Sequence, residues 1–202
     1  MKAELKELIK NHYKNLADIE IEELANQLCD LLPRKVLRLS EIAVGGKFRY
    51  AGHEFTKLTD EEQSCYCLLN ETVFESEFGE TNDWAKSPIR KRLNEFDGQG
   101  KSKAVKGIAK DDLVAVSLNY RSYNNPNGRT TDRITILSYD EWLCWNIPSI
   151  GVPTWLRSGV YTYAYGAYYL YADGFGDYNN AVTREYAVRP ALHFKKDLEV
   201  EI

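Results

Sequence analysis

Hydrophobic positions divide the chain into two regimes. Over residues 2 to 32 they recur every three or four residues, the period of a helix with one apolar side. Leu5, Leu8, Ile9, His12 and Leu16 form a first stripe; Ile21, Leu24, Ala25, Leu28, Leu31 and Leu32 form a second. The segment Asn15 to Asp18 separates them. Asp18 can cap the second helix, and Glu20, Glu22 and Glu23 favour its positive end. Pro33 ends that helix, and Arg34, Lys35 and Arg38 make a basic linker. Two helices this short do not bury their stripes alone, so residues 2–32 are expected to form a homodimer or to dock on another surface.

From Val36 the pattern shortens to strands. Lys47 to Tyr50 and His53 to Leu58 flank Ala51-Gly52, which predicts a tight hairpin, and Cys65 to Leu69 predicts a third strand. Ser87 followed by Pro88 reads as an N-cap and first helical position, with Ile89, Leu93 and Phe96 on one face. Leu113 to Leu118 predicts a strand, Tyr120 to Thr131 a long exposed loop, and Ile134 to Leu137 a short buried strand. Ser138 and Glu141 form a capping box that opens a helix carrying Trp142 and Trp145. A final strand is expected over Ala187 to Phe194. The order lacks regular β-α-β alternation, which argues against a parallel doubly wound sheet.

Composition changes this picture at few points. The net charge of -4 gives no footprint for nucleic acid, and the second helix is acidic, the wrong sign for reading a groove. No apolar run is long enough to span a bilayer, so no membrane insertion is expected, and the N-terminus lacks the apolar region of a signal peptide. A cytoplasmic protein is expected, unless a phage particle carries it. Cys29, Cys65, Cys67 and Cys144 have no metal spacing and read as small buried hydrophobes, with Cys65 and Cys67 on one strand face. His12, His53 and His193 are scattered, no P-loop or nucleophile elbow occurs, and no metal or cofactor is expected. Asp173, Asp177, Asn179 and Asn180 could ligate calcium, but turn chemistry accounts for them better.

One feature is unusual. Of 14 tyrosines, eight fall within residues 159 to 186: Tyr161, Tyr163, Tyr165, Tyr168, Tyr169, Tyr171, Tyr178 and Tyr186. An extended chain would bring Tyr161, Tyr163, Tyr165, Tyr169 and Tyr171 to one face. The spacers are small and polar, the composition of an antibody paratope. A buried core would favour Phe, Val and Ile over hydroxyls that each need a partner, so an exposed recognition surface is the expectation.

Several ordered blocks resemble a domain family of bacteria and their phages. Asn82-Asp83-Trp84, Ser87, Ile89-Arg90, Leu93-Asn94 and Phe96 resemble its N-x-W … S-x-I-R-x-x-L-N-x-x-F block. Asp132 to Glu141 resembles its D-x-[IV]-x-L-L-S-x-x-E block. Trp155-Leu156-Arg157-Ser158, Ala167, Leu170, Asp173-Gly174 and Val188-Arg189-Pro190-Ala191-Leu192 resemble its closing signature. Gly45-Gly46-Lys47-Phe48 also fits, and the resemblance covers about residues 36 to 196. The closing signature is similar in turn to C-type-lectin-like domains of the formylglycine-generating-enzyme type. These include the variable proteins of diversity-generating retroelements. Ala187 and Leu170 depart mildly from it. The resemblance implies that the stretch between the two arginine-bearing blocks is a ligand-binding surface.

The expected fold is therefore α+β: a helical arm over residues 1–33, then over 34–202 a C-type-lectin-like domain with a mixed or antiparallel sheet and two short helices. The expected function is a non-catalytic phage or prophage module that binds a protein or glycan. Its binding residues are Tyr161, Tyr163, Tyr165, Tyr168, Tyr169, Tyr171 and Tyr178 with Trp142 and Trp145, and the loop Tyr120 to Arg129 adjoins them. Trp84, Arg90, Asn94, Trp155, Arg157 and Arg189 are expected to anchor the loop ends through half-buried hydrogen bonds. Two other readings stand beside it: a small-molecule enzyme with a pocket beneath the tyrosine tract, and a nucleic-acid-associated regulator acting through the arm.

Overall fold

A computed structural model describes residues 2–13, 16–31, 35–181 and 183–202, without the side chains of residues 29–31. The expectations for Asn15, Leu32, Pro33 and Arg34, and for the side chains of Cys29 and Leu31, lie outside the described residues. The chain separates into two compact units, with the boundary in the sequence between Lys35 and Val36.

The first unit holds α1 (Lys2–His12) and α2 (Asp18–Leu31). Ile9, Ile21 and Ala25 are buried between them, while Leu8, Ile19 and Leu28 remain exposed. Lys2 and Lys6 pair with Glu22, and Lys10 pairs with Asp18, along the helix surfaces.

The second unit runs β1 (Val36–Arg38), β2 (Lys47–Tyr50), β3 (His53–Asp60), β4 (Ser64–Leu69), β5 (Phe74–Glu77), α3 (Pro88–Leu93), β6 (Val116–Tyr120), β7 (Gly128–Asp132) and β8 (Ile134–Thr135). It continues through α4 (Tyr139–Trp145), β9 (Thr154–Gly159), β10 (Gly166–Leu170), β11 (Gly176–Asn180), β12 (Glu185–Val188), β13 (Ala191–Lys195) and β14 (Glu199–Glu201). An antiparallel seven-stranded sheet has the order β1-β14-β2-β3-β4-β13-β8. A five-stranded sheet has the order β11-β10-β9-β12-β5, with β12 parallel to β9. β6 and β7 form a separate two-stranded ribbon. The fold is α+β, with four α-helices and mainly antiparallel pairing among the described residues.

Local signals explain several elements. β2 and β3 turn at Ala51-Gly52, both at positive φ, as a twisted two-residue hairpin requires. Ser87 caps α3 through Ile89 N, with Pro88 at the first helical position. Ser138 and Glu141 exchange both capping bonds at α4.

β4 is buried at every position because both of its faces are covered. Cys65, Cys67 and Leu69 enter the main core with Phe55, Phe194 and Trp155; Tyr66 and Leu68 enter a second cluster with Leu156 and Leu170 under α4. Cys65 and Cys67 thus share a face, and burial pushes the Cys65 thiol up to about 11. Cys144 departs from the expectation of burial: it lies on the exposed side of α4.

Two expected boundaries change. Tyr120 to Thr131 is not one loop: β6 and β7 pair across it, with Tyr120 opposite Gly128. Gly128 is needed there, because a Cβ would sit 2.3 Å from the Tyr120 ring. The expected last strand is cut at Pro190, which has no N–H to give to a ladder. The chain therefore leaves the five-stranded sheet as β12 and enters the seven-stranded sheet as β13.

Candidate functional site: an aromatic hairpin beside a polar cleft

The tyrosine tract is not one extended face. Its strands β10 and β11 pair as a hairpin on the edge of the five-stranded sheet. Tyr161, Tyr163 and Tyr165 occupy the turn before β10, and Tyr171 and Phe175 the turn after it. Tyr168 and Tyr178 are directly opposite one another between those turns. Tyr161, Tyr163, Tyr165, Tyr171 and Tyr178 are exposed, from 42% for Tyr171 to 63% for Tyr161, and Phe175 is 73% exposed.

Tyr169 is the correction. It is only 2% exposed and packs against Trp155, Tyr186 and Tyr171, with ring centroids at 6.1, 4.5 and 4.8 Å. The cause is the pleat: β10 is covered on both sides, so Ala167 and Tyr169 fill the main core while Leu170 enters the second cluster. Tyr168 is half-buried and packs on that second cluster against Tyr139 at 4.5 Å and Tyr178 at 6.1 Å. Burial and these two phenols push its pKa up.

Trp142 and Trp145 are also half-buried rather than displayed. Trp145 meets Tyr66 edge-on at 5.7 Å, and Trp142 Nε1 donates to Ile147 O at 3.2 Å. They seat α4 on the second cluster. Trp142 approaches β11 so closely that a Cβ on Gly176 would lie 2.8 Å from its ring.

The scaffold beneath is held by buried polar side chains. Asn82, 1% exposed, points Nδ2 at the carbonyls of Val160 (2.7 Å), Tyr163 (3.0 Å) and Gly166 (2.8 Å), and its Oδ1 accepts from Tyr123 N at 3.2 Å. Arg157 donates to Glu141 Oε2 (2.7 Å), to Ile136 O (2.6 Å) and to Asn119 O (3.3 Å), and its other nitrogen reaches Glu141 Oε1. Burial opposes this guanidinium's charge, but Tyr66 and Glu141 hold its pKa above that of an ordinary arginine. Arg189 donates to Leu69 O (2.8 Å) and Pro148 O (3.1 Å); burial lowers its pKa.

Trp84, Arg90 and Thr130 converge on the buried Asp132 carboxylate, with Arg90 Nε at 2.8 Å. Asn94 ties α3 to β8 through Ile134 O at 2.8 Å, and Trp155 Nε1 donates to Ser76 O at 2.8 Å. Sequence reasoning had Glu141 only as a cap and gave Asn82 no role beyond its block. Their long-range partners have no local signature.

Beside the hairpin lies a cleft of about 840 Å³, within the usual range of ligand sites. The β6–β7 ribbon forms one wall, with Asn119, Arg121 and Arg129. The start of α4 forms the other, with Tyr139, Asp140 and Glu141. Arg157 to Gly159 make the floor, and Tyr161 and Tyr168 join the cleft to the tract. Arg157 Nε on Asn119 O and Gly159 N on Arg121 O (2.7 Å) fix the ribbon to β9.

The other polar candidates have local uses. Asp173, Asp177 and Asn179 accept from backbone N–H groups one or two residues on, which is turn chemistry. His193 Nδ1 lies 3.1 Å from Glu61, and His53 bridges Glu71 and Lys106 O. Among the described residues there is no group of three side chains suited to a metal, and no helix long and apolar enough to cross a membrane. The chain matches no family model, no curated protein and no solved structure.

Proposed function

We propose that the chain is a phage- or prophage-encoded binding module of C-type-lectin-like architecture, which recognises a protein or glycan through the tyrosine hairpin and bears a docking or dimerising arm. The supporting observation is the display of Tyr161, Tyr163, Tyr165 and Tyr178 on a hairpin whose base is tied by Asn82, Arg157 and Trp155. Exposed aromatics in such density mark an interaction surface, and rigid phenols give large contact area at small entropic cost. The polar groups nearby, the buried Arg157 and Asp132 and the half-buried Glu141 and Arg90, bond to one another and to backbone, as supports do. The family resemblance of the closing blocks supports the same face.

The test compares the full chain with a Tyr163→Ala/Tyr165→Ala variant against bacterial cell-envelope fractions and a glycan array. The proposal expects a ligand that the wild type retains and the variant loses while melting like the wild type. Equal retention by both proteins, or no ligand for either, would sink it.

A further inference from the structure

The cleft carries a charge that the rest of the molecule does not. The chain as a whole is at -4, yet three guanidiniums, Arg121, Arg129 and Arg157, line the cleft against two carboxylates, Asp140 and Glu141. Arg157 and Glu141 satisfy each other. Arg121 and Arg129 are exposed and have no ion pair among the described residues.

Their placement follows from the ribbon. Asn119 is opposite Arg129, and Arg121 lies two residues beyond Asn119, so the two arginines are diagonal neighbours. Asn119 Oδ1 accepts from Arg129 Nε at 3.1 Å, which orients that guanidinium and leaves its two terminal nitrogens free. Across the cleft stand the rings of Tyr139, Tyr161 and Tyr168.

We infer that this cleft takes the carboxylate of an acidic peptide segment, Asp or Glu beside an apolar or aromatic residue, belonging to the protein partner of the hairpin. The inference rests on the reading of the hairpin as a binding surface. Guanidinium forks match carboxylates geometrically, and the tyrosine wall suits the flanking side chain. The excess is a single positive charge beside Asp140, in an acidic protein. That suits one carboxylate and opposes a run of phosphates, whose binding draws on many cations.

The experiment selects a randomised peptide library on three full-length baits: wild type, Arg121→Ala/Arg129→Ala, and Tyr163→Ala/Tyr165→Ala. Single-stranded oligonucleotides and neutral oligosaccharides are measured alongside. Both arginines are exposed, so a thermal melt should show the arginine variant folded. The inference expects wild-type peptides to share an acidic position. Their affinity should fall about tenfold or more on the arginine variant, or when that acid becomes its amide, as loss of a charge-assisted contact implies.

Peptides without an acidic position, or equal binding to the arginine variant, would overturn the inference. If such peptides still fail on the tyrosine variant, the surface reading stands. Oligonucleotides or neutral sugars that bind through the arginines while acidic peptides do not would overturn it too. No enrichment on the wild type would overturn the inference alone, because the hairpin reading is decided by its own test on envelope fractions and glycans.

Discussion

Replacing Asn82 with alanine tests whether one amide fixes the base of the tyrosine hairpin. Of the carbonyls it meets, Gly166 O keeps a second partner in Val160 N (2.8 Å) and Tyr163 O keeps Gly166 N (3.2 Å). Val160 O and Tyr123 N lose the partner that Asn82 gives them. A buried polar group left without a partner costs about 1–3 kcal/mol, so the two orphaned groups of Asn82→Ala should cost about 2–6 kcal/mol.

Asn82→Asp sharpens the test. An ionised carboxylate would face those carbonyls, whereas the protonated acid can still donate to one. The buried acid's pKa therefore rises above its unfolded value of about 3.9. A raised carboxyl pKa means the folded state binds the extra proton, so the variant loses stability as pH rises above about 4. Urea unfolding followed by tryptophan fluorescence, at several pH values, reads both effects. A loss below about 1 kcal/mol for Asn82→Ala, or an Asn82→Asp deficit that does not grow with pH, would refute the reasoning.

Other outcomes follow from the same packing. Tyr169→Ala should cost about 3–5 kcal/mol, as large-to-small changes in a core do, while Tyr163→Ala should stay near about 0.5 kcal/mol; paired urea melts decide it. Arg157→Ala should cost about 3–5 kcal/mol by leaving Glu141 unpaired in a half-buried site, while replacing both residues with apolar ones of similar volume should restore much of that loss in the same assay. Glu61 is held below its ordinary 4.5, first by the hydrogen bond from His193 and also by Ser64. A depressed carboxyl pKa stabilises the fold above the ordinary value, and the contribution disappears as pH falls below 4.5 toward the folded value. Glu61→Gln should accordingly flatten the acid limb of stability against pH.

The sequence announced elements whose signals are local. Ser87-Pro88 and Ser138 with Glu141 start helices because a hydroxyl beside a free N–H needs no tertiary help. The α+β class followed from two helical stripes and then short strands. The tract was misread where a period-two pattern met turns: residues 161–165 and 171–175 bend the chain, and the odd tyrosines no longer share a face. Tyr169 looked like its neighbours because nothing in the sequence says that β10 is covered on both sides. The cleft was beyond reach because its walls meet only in the fold, and Arg157 finds Glu141 and Asn119 through sheet packing.

The central claim is that the hairpin's phenols face solvent over a rigid base, with Tyr169 beneath them. Limited nitration of the native chain, mapped by peptide mass spectrometry, tests it most directly. Tyr161, Tyr163, Tyr165 and Tyr178 should react early, while Tyr66 and Tyr169 should be spared until the protein is unfolded. Early nitration of Tyr169, or protection of the four exposed tyrosines equal to that of Tyr66, would contradict the account.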